Sequence, residues 1–462
     1  MNSSSARSAV DYRSGVRATP RVEVGLLGAK APYVDHGTGL IDVRRYLDPA
    51  ESVREWEKMW TKVWTLAGVA SDIPNAGDWF RYDLGVESFV IVRGDDQTIR
   101  AFYNVCPHRG NLIVRTDFGS ITDCFTCAFH GWKFADDGTL LMVKDAETFR
   151  PEALANATGL TEVRCDVWAG LIFVSMNPDV VDLREYLGIL PEHLDGYHLE
   201  KMRVAEDIVY VYDANWKTTY DAFMEFYHAD MIHPELGEAM ETYYNQYDLY
   251  PNGISRMILP FGYAPDKTID PNVVNEALVD TLQRYGRDPA DYAHLKGHEY
   301  AGALLEVKRH LAHREGWDHF EQLSDSQVLG DWNYSIFPNI TFNLFGEMAY
   351  IQIFRPHPDD HMKCIWRSIQ LNLPGRTGFQ PVLATGLGND QVDPTGWDGT
   401  VRPPIVYAET PEETGFILAQ DCYLVPPVQQ GMRSRSFKGL NLGEQEQRIR
   451  HYLAELDRYL EA

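Results

Sequence analysis

Cys106-Pro107-His108-Arg109-Gly110 and Cys127-Ala128-Phe129-His130-Gly131-Trp132 each place one thiol and one imidazole on a stretch short enough for a single tight loop, with residues 109–126 between His108 and Cys127. Two such loops can face each other across a metal. Thiolate and imidazole in equal number suit zinc or an iron–sulfur centre. Structural zinc modules usually group Cys with Cys and His with His. A two-iron cluster with two His on one iron and two Cys on the other takes one of each from each loop. The order therefore favours the cluster, with zinc and chance pairing as the competing readings. Cys124 makes a further CxxC with Cys127 and reads as a small packed residue. Cys165, Cys364 and Cys422 stand alone and read as core.

A second group of donors lies in Glu225-Phe226-Tyr227-His228-Ala229-Asp230-Met231-Ile232-His233. The stretch from Asn215 to His233 reads as helix, ended by Pro234, which biases His233 away from helical backbone. On a regular helix a five-residue step turns about 500°, leaving the two rings roughly 140° apart. One metal can take both only if the helix bulges or ends between them. By spacing alone, two separate polar contacts are the plainer reading.

The elements that must position these residues follow from periodicity. Residues 1–38 are polar and read as a loose arm, and Asp42 to Lys62 as a helix. Between residues 63 and 178, short apolar runs such as Phe89-Val90-Ile91-Val92 and Leu171-Ile172-Phe173-Val174 alternate with turn residues, an all-β signature. Leu304 to Arg314 reads as helix, Asn333 to Asn372 as an antiparallel meander, and Gly375 to Pro404 as a long loop. Ile449, Tyr452, Leu453, Leu456 and Leu460 mark a docked C-terminal helix. The 462 residues carry 67 Asp and Glu against 42 Lys and Arg, a net charge of −25 that argues against nucleic-acid partners. Six cysteines are too few for a secreted disulfide scaffold. No leader-like apolar stretch and no run approaching the ~20 residues of a membrane span are present, so a cytoplasmic protein without membrane contact is expected.

Asn104, Cys106 to Asn111 and Cys127 to Trp132 together resemble the Rieske motif of ring-hydroxylating (Rieske non-heme iron) oxygenase large (alpha) subunits. Respiratory Rieske proteins match less well, because the positions of their additional disulfide cysteines hold Asn111 and Phe129 here. Asn215-Trp216-Lys217 followed by acid-x-x-His-x4-His is similar to that family's iron motif, and the resemblance runs from about Asp42 to Leu460. It implies an α+β fold: a Rieske all-β iron–sulfur domain (63–178) inserted in a larger catalytic domain (179–462, with 1–62 as its arm and first helix) built on an antiparallel β-sheet flanked by helices. It implies one 2Fe–2S Rieske cluster on Cys106, His108, Cys127 and His130. It also implies one mononuclear Fe(II) on His228, His233 and a late carboxylate, for which Asp421 is the candidate and Glu409, Glu412 and Glu413 are rivals.

Glu225 stands where the family usually has Asp. There the acid bridges a subunit boundary, so the resemblance pairs Glu225 with His228 and with His130 of the partner subunit. Asp221 stands where Asn is common. The implied activity is that of a terminal oxygenase with O₂ as co-substrate, fed by a ferredoxin and/or flavin reductase, since no GxGxxG opens a nucleotide-binding unit here. Cis-dihydroxylation of an aromatic or other apolar substrate, as in aromatic hydrocarbon catabolism, is expected first. Monooxygenation with oxidative N- or O-dealkylation is the alternative. Phe223, Met224, Phe226, Phe342 and Phe345 are candidates for an apolar pocket. A homotrimer is implied, with or without a small beta subunit, and Arg109 and Arg115 are candidate contacts for the electron donor.

Overall fold

Ten short strands between residues 65 and 175 build the first unit of the fold: β1 (Thr65–Val69), β2 (Asp78–Leu84), β3 (Glu87–Arg93), β4 (Ile99–Tyr103), β5 (Phe118–Ser120), β6 (Phe125–Thr126), β7 (Lys133–Phe134), β8 (Leu140–Met142), β9 (Glu162–Trp168) and β10 (Leu171–Ser175). Seven of them pair antiparallel in the order β1-β10-β9-β4-β3-β2-β5, and β6-β7-β8 form a small separate sheet. The Cys106 loop leaves β4, and the Cys127 loop joins β6 to β7. The computed structural model describes residues 25–237, 239–243, 245–262, 276–296, 299–379, 381 and 398–462.

The second sheet has eight strands: β11 (Arg203–Tyr212), β12 (Gln246–Leu249), β13 (Ser255–Leu259), β14 (Asp331–Ile336), β15 (Ile340–Leu344), β16 (Met348–Pro356), β17 (Cys364–Asn372) and β18 (Val406–Tyr407). Their order is β12-β13-β14-β15-β16-β17-β11-β18, antiparallel throughout except for the short β11–β18 pairing. The expected meander from Asn333 to Asn372 is β14 to β17. Its strands are buried on both faces, with Trp332, Tyr334 and Ile336 on one side and Asp331, Asn333 and Ser335 on the other. Around the sheet lie α1 (Pro49–Glu55), α2 (Trp216–Ala222), α3 (Ala229–Ile232), α4 (Glu299–Glu315), α5 (Phe416–Met432) and α6 (Gln447–Glu461). The architecture is the expected α+β one. Residues before the first sheet return to the second unit, since Trp60 packs edge-on against Trp216 at 5.1 Å. Among the described residues, no helix is long and apolar enough to cross a membrane.

Three expectations change. The stretch Asp42–Lys62 is not one helix: Asp48 is extended (ψ 119°), caps α1 through Ala50 N–H, and sets Pro49 at its first turn. Beyond Glu55 the chain widens into a π turn, Trp56–Trp60. Asn215–His233 is likewise broken, with α2 ending at Ala222 and α3 starting at Ala229. The arm is docked from residue 25 onward. Buried Arg256 donates to Leu27 O (2.5 Å) and Ala29 O (2.9 Å), and Ala31 N–H donates to Asp248 Oδ1 (2.7 Å). Residues 1–24 of that arm, and residues 380 and 382–397 of the expected long loop, lie outside the described residues.

The two sheets are tied by a buried ion network. Asp207 on β11 accepts Arg367 Nε at 2.8 Å and Nη2 at 2.6 Å, and also accepts Arg402 Nη2. Arg402 Nε reaches Asp72 Oδ1 at 2.8 Å, just after β1, and its guanidinium lies 4.3 Å over the Phe118 ring of β5. Burial alone would raise the Asp207 carboxyl, but the two arginines hold it below the usual range. Removing this shared acceptor strands Arg367 and leaves Arg402 with Asp72 alone, so Asp207→Ala should destabilise by about 3–5 kcal/mol in chemical denaturation. Loss below about 1 kcal/mol would mean the network is solvated.

Asp221 on α2 is buried and accepts Tyr46 OH (2.8 Å) and Tyr452 OH (2.5 Å). Burial pushes its carboxyl up to about 7, against the opposing pull of the two tyrosines and Lys217. The folded chain therefore keeps this proton over a range in which the unfolded chain, with an ordinary carboxyl near 3.8, has lost it. Its contribution to stability is complete below about pH 4 and drains away as pH rises to about 7. Asp221→Asn should accordingly gain on the parent in melting temperature between pH 5 and pH 8; a gap that does not move with pH would refute the buried proton.

Candidate metal centres

The two Cys/His loops are near copies. In each, the Gly four residues after Cys donates its N–H to the Cys carbonyl: Gly110 to Cys106 at 3.0 Å, and Gly131 to Cys127 at 2.9 Å. The Cys N–H is taken in turn by Asn111 O and by Trp132 O, both at 2.8 Å. Both glycines sit at positive φ (77° and 72°), where a side chain would be strained. These bonds bring Cys106 and Cys127 within hydrogen-bond reach of each other, both buried. The His108 and His130 rings meet edge to face at 4.7 Å, and His108 stacks on Trp132 at 4.8 Å and 8°. His108 Nδ1 is buried with no hydrogen-bond partner.

Burial pushes the Cys106 thiol up. It acts on Cys127 too, but the Phe129 and His130 N–H groups, Cys106 and the Asn111 amide outweigh it and hold that thiol below its usual range. Asn111 Nδ2 lies 3.6 Å from Cys127 Sγ. An unpartnered imidazole nitrogen beside paired thiols suits a metal cluster. A single tetrahedral zinc would draw its donors within about 4 Å of one another. Among the described residues, only a different set, in the second unit, gathers three such donor atoms within 4.8 Å. The spread of the loop donors thus fits a two-metal cluster better than one ion. Cys124 is half-buried near Thr126 Oγ1 (3.7 Å), Cys364 and Cys422 are buried, and Cys165 is half-buried.

That other set is His228, His233 and Asp421. The break between α2 and α3 resolves the spacing problem. His228 precedes α3 with helical backbone, whereas His233 follows it at φ −121°, ψ 60°, so neither ring is bound to the regular helical angle. Asp421 comes from α5, and its Oδ1 lies 3.4 Å from His233 Nε2 and 3.9 Å from His228 Nε2. Both Nδ1 atoms face oxygen. His228 Nδ1 is 2.5 Å from Glu225 Oε1, and His233 Nδ1 is 2.6 Å from Gln420 Oε1. Glu225 Oε2 also accepts the N–H of Tyr227 and of His228 (3.1 Å). With its Nδ1 side taken, each ring turns Nε2 toward Asp421, the orientation a metal ligand needs. Burial pulls His228 down, but Glu225 and Asp421 outweigh it and push it up to about 9. That field favours a cation at this spot, so the residues fit a divalent metal.

The rivals Glu409, Glu412 and Glu413 are not among these donors, and Glu412 accepts Tyr423 OH. Asn215-Trp216-Lys217 has a positioning part. Asn215 caps α2 through Lys217 N–H (2.9 Å) and donates to His361 O (2.7 Å), while Trp216 Nε1 and Lys217 Nζ both end on buried Glu55 (2.9 and 2.6 Å).

A cavity of about 70 Å³ opens on all three donors. A neighbouring space of about 230 Å³ touches His228 and Asp421 but not His233. Phe223 and Phe226 line the first cavity as expected; Met224, Phe342 and Phe345 do not. Phe342 points to the opposite face of β15 from Asn343, and Phe345 joins Met348 and Tyr350 in a separate small cluster. In their place stand Asp331, Asn333, Asn343 and Gln352, which with Gln420 went unrecognised in the sequence. Polar residues alternating through a buried strand were the available signal.

Comparison with known proteins agrees with this geometry. Residues 63–154 match the family model for the Rieske [2Fe-2S] domain, and residues 199–462 match that for the ring hydroxylating alpha subunit (catalytic domain). Curated relatives include the carnitine monooxygenase oxygenase subunit of Escherichia coli (strain K12), 29% identical over 204 residues, 44% of this chain and 54% of that protein. Another is the biphenyl 2,3-dioxygenase subunit alpha of Rhodococcus jostii (strain RHA1), 33% identical over 205 residues, 43% of this chain and 44% of that protein. The chain thus spans about half the length of the curated relatives it matches. Among solved structures, the quaternary ammonium Rieske monooxygenase CntA superposes with TM-score 0.64 at 18% identity, covering 92% of this chain and 96% of that one. Naphthalene 1,2-dioxygenase with indole bound superposes with TM-score 0.60 at 17% identity, covering 94% and 95%. With a Rieske [2Fe-2S] domain ahead of a matched catalytic domain, the chain belongs to the ring-hydroxylating alpha-subunit family of Rieske oxygenases.

Proposed function

We propose that the protein is a terminal oxygenase that inserts oxygen from O₂ into an organic substrate, drawing electrons from a separate ferredoxin or flavin reductase. The observation that carries this is the convergence of His228, His233 and Asp421 within 4.8 Å at the end of a cavity. Two imidazoles and one carboxylate on one side of a metal leave its other positions open. When bound, the two groups supply one-electron transfer from the cluster and oxygen activation at the mononuclear iron.

The chain's own residues do the rest. Glu225 and Gln420 orient the two imidazoles and fix their tautomers. Phe223, Phe226, Leu236 and Met240 exclude water from the cavity. Cys106, His108, Cys127 and His130 hold the cluster. Glu225, buried beside His228, is our candidate for the bridge between His228 and the partner subunit's His130 in a head-to-tail homotrimer. Arg109 and Arg115, both exposed on an acidic protein, are our candidates for the donor's contact.

Dihydroxylation, with both oxygen atoms entering the substrate and the donor supplying the electron pair, is the first form of the reaction. Monooxygenation with N- or O-dealkylation is the second. It is favoured by the polar residues in the cavity and by relatives named as carnitine and glycine betaine monooxygenase subunits.

Purified protein is expected to be red-brown, with iron and acid-labile sulfide; stoichiometric zinc without sulfide would refute the cluster. His228→Ala should lose the mononuclear iron and turnover yet keep the visible cluster spectrum, and loss of both together would show the centres are not separate. Glu225→Gln should keep both metals while turnover falls about 10–100-fold. Unchanged single-turnover kinetics in that variant would remove Glu225 from the mechanism.

A further inference from the structure

The cavity over the three donors has one wall that a hydrocarbon would not need. Asp331 and Asn333 are two residues apart on β14 and so share a face. Asn343 on β15 is the direct register partner of Asn333, and Gln352 on β16 pairs with Thr341 on the same side. All but Thr341 line the cavity. Their hydrogen bonds run in one direction. Trp366 Nε1 donates to Gln352 Oε1 (3.1 Å), Gln352 Nε2 to Asn343 Oδ1 (3.5 Å), and Asn343 Nδ2 to Asp331 Oδ2 (2.7 Å). The chain ends on a carboxylate whose other oxygen is empty-handed. Asp331 is 2% exposed and its Oδ1 has no partner; Asn333 is 3% exposed and its Oδ1 has none.

Among the described residues, Asp331 has no ion pair within 4 Å. Arg448 acts on it through space: its Nε donates to Ser255 Oγ (2.7 Å) and its two Nη atoms have no partner, yet none of them bonds Asp331 and the residue does not line the cavity. A buried carboxylate with an unmade bond is unfavourable and awaits a donor.

We propose that Asp331, with Asn333 beside it, binds an ammonium N–H of the substrate, so that the protein acts on an alkylamine; this rests on reading the cavity as the oxygenase site. A hydrocarbon would leave both acceptors dry and unpaired. A quaternary ammonium brings charge without a donor, and an alcohol brings a donor without charge. Met257 and Leu259, the β13 register partners of Asn333 and Asp331, give the alkyl part its apolar seat, with Ile417 and Leu418 also lining the cavity. The volume at this polar wall, about 70 Å³, is under half of the roughly 150 Å³ that accommodates benzene and fits a small alkyl group, with the neighbouring space of about 230 Å³ beside His228 and Asp421.

The test is calorimetric binding to the purified holoenzyme at pH 8, with isopropylamine, isopropanol and tetramethylammonium as probes. Isopropylamine should bind at least tenfold more tightly than either of the others. Asp331→Asn should bring it to the level of isopropanol. Asn333→Leu, which leaves the carboxylate in place, should weaken isopropylamine alone, about threefold or more, and covers the case in which Asp331→Asn melts early. Equal binding of the three probes, or an amine preference that survives in a well-folded Asp331→Asn protein, overturns the proposal. Because the readout is binding, its failure is separable from that of the oxygenase reading. Amine binding by a protein that takes up no iron would sink the latter. Oxygen insertion indifferent to Asp331→Asn would sink only the former.

Discussion

Two histidines five residues apart cannot share a metal from a regular helix, because five steps of about 100° turn them to different faces. Much of the second unit serves this constraint. The chain stops being helical at Ala222, resumes for the single turn Ala229–Ile232, and leaves it again at His233. Such a break has little stability of its own and must be held from outside. Asn215 and Gln429 fix the start of α2, with Gln429 Oε1 accepting Asn215 N–H at 2.6 Å. Glu55 anchors Trp216 and Lys217, and Asp221 ties α2 to Tyr46 and Tyr452. Glu225 sits in the break itself and binds the backbone and the ring of His228 together. The residues that surround the donors are therefore mostly fixings for an irregular backbone.

The same economy explains where the carboxylate comes from. α5 carries Gln420 and Asp421 side by side, one facing His233 Nδ1 and the other its Nε2. Pro426 and Pro427 interrupt the hydrogen bonds of α5 one turn later. One helix thus supplies both the donor and the group that aims a neighbouring donor. The polar face of β14 to β16 closes the opposite side, so the cavity lies between a helical ceiling and a sheet floor.

Much of this could be read from the chain. Paired Cys and His at loop spacing gave the first centre, because covalent chemistry leaves few other uses for that set. Alternation located β3, β10 and β14 to β17, because burial of one or both strand faces writes itself into the sequence. Three things could not be read. Asp48-Pro49 divides the first helix although the apolar stripe runs on through it, since a cap and a proline outweigh periodicity only once the next helix has somewhere to dock. The docking of residues 25–31 depends on Arg256 and Asp248, more than two hundred residues away, which no local pattern reveals. The cavity wall was expected to be phenylalanine, but Phe342 alternates to the far face of its strand while Asn343 faces in. A one-residue difference in register decides between an apolar and a polar wall.

The paired glycine loops of the first unit have an engineering consequence. Their shape is closed by main-chain bonds, Gly110 to Cys106 and Gly131 to Cys127, and no donor atom takes part in them. The scaffold is thus indifferent to which side chain points from it. Exchanging an imidazole for a thiolate would change the electron-withdrawing character of the ligand set, and with it the reduction potential, without rebuilding the cradle. A fold with that property can be tuned to partners of different potential by single substitutions.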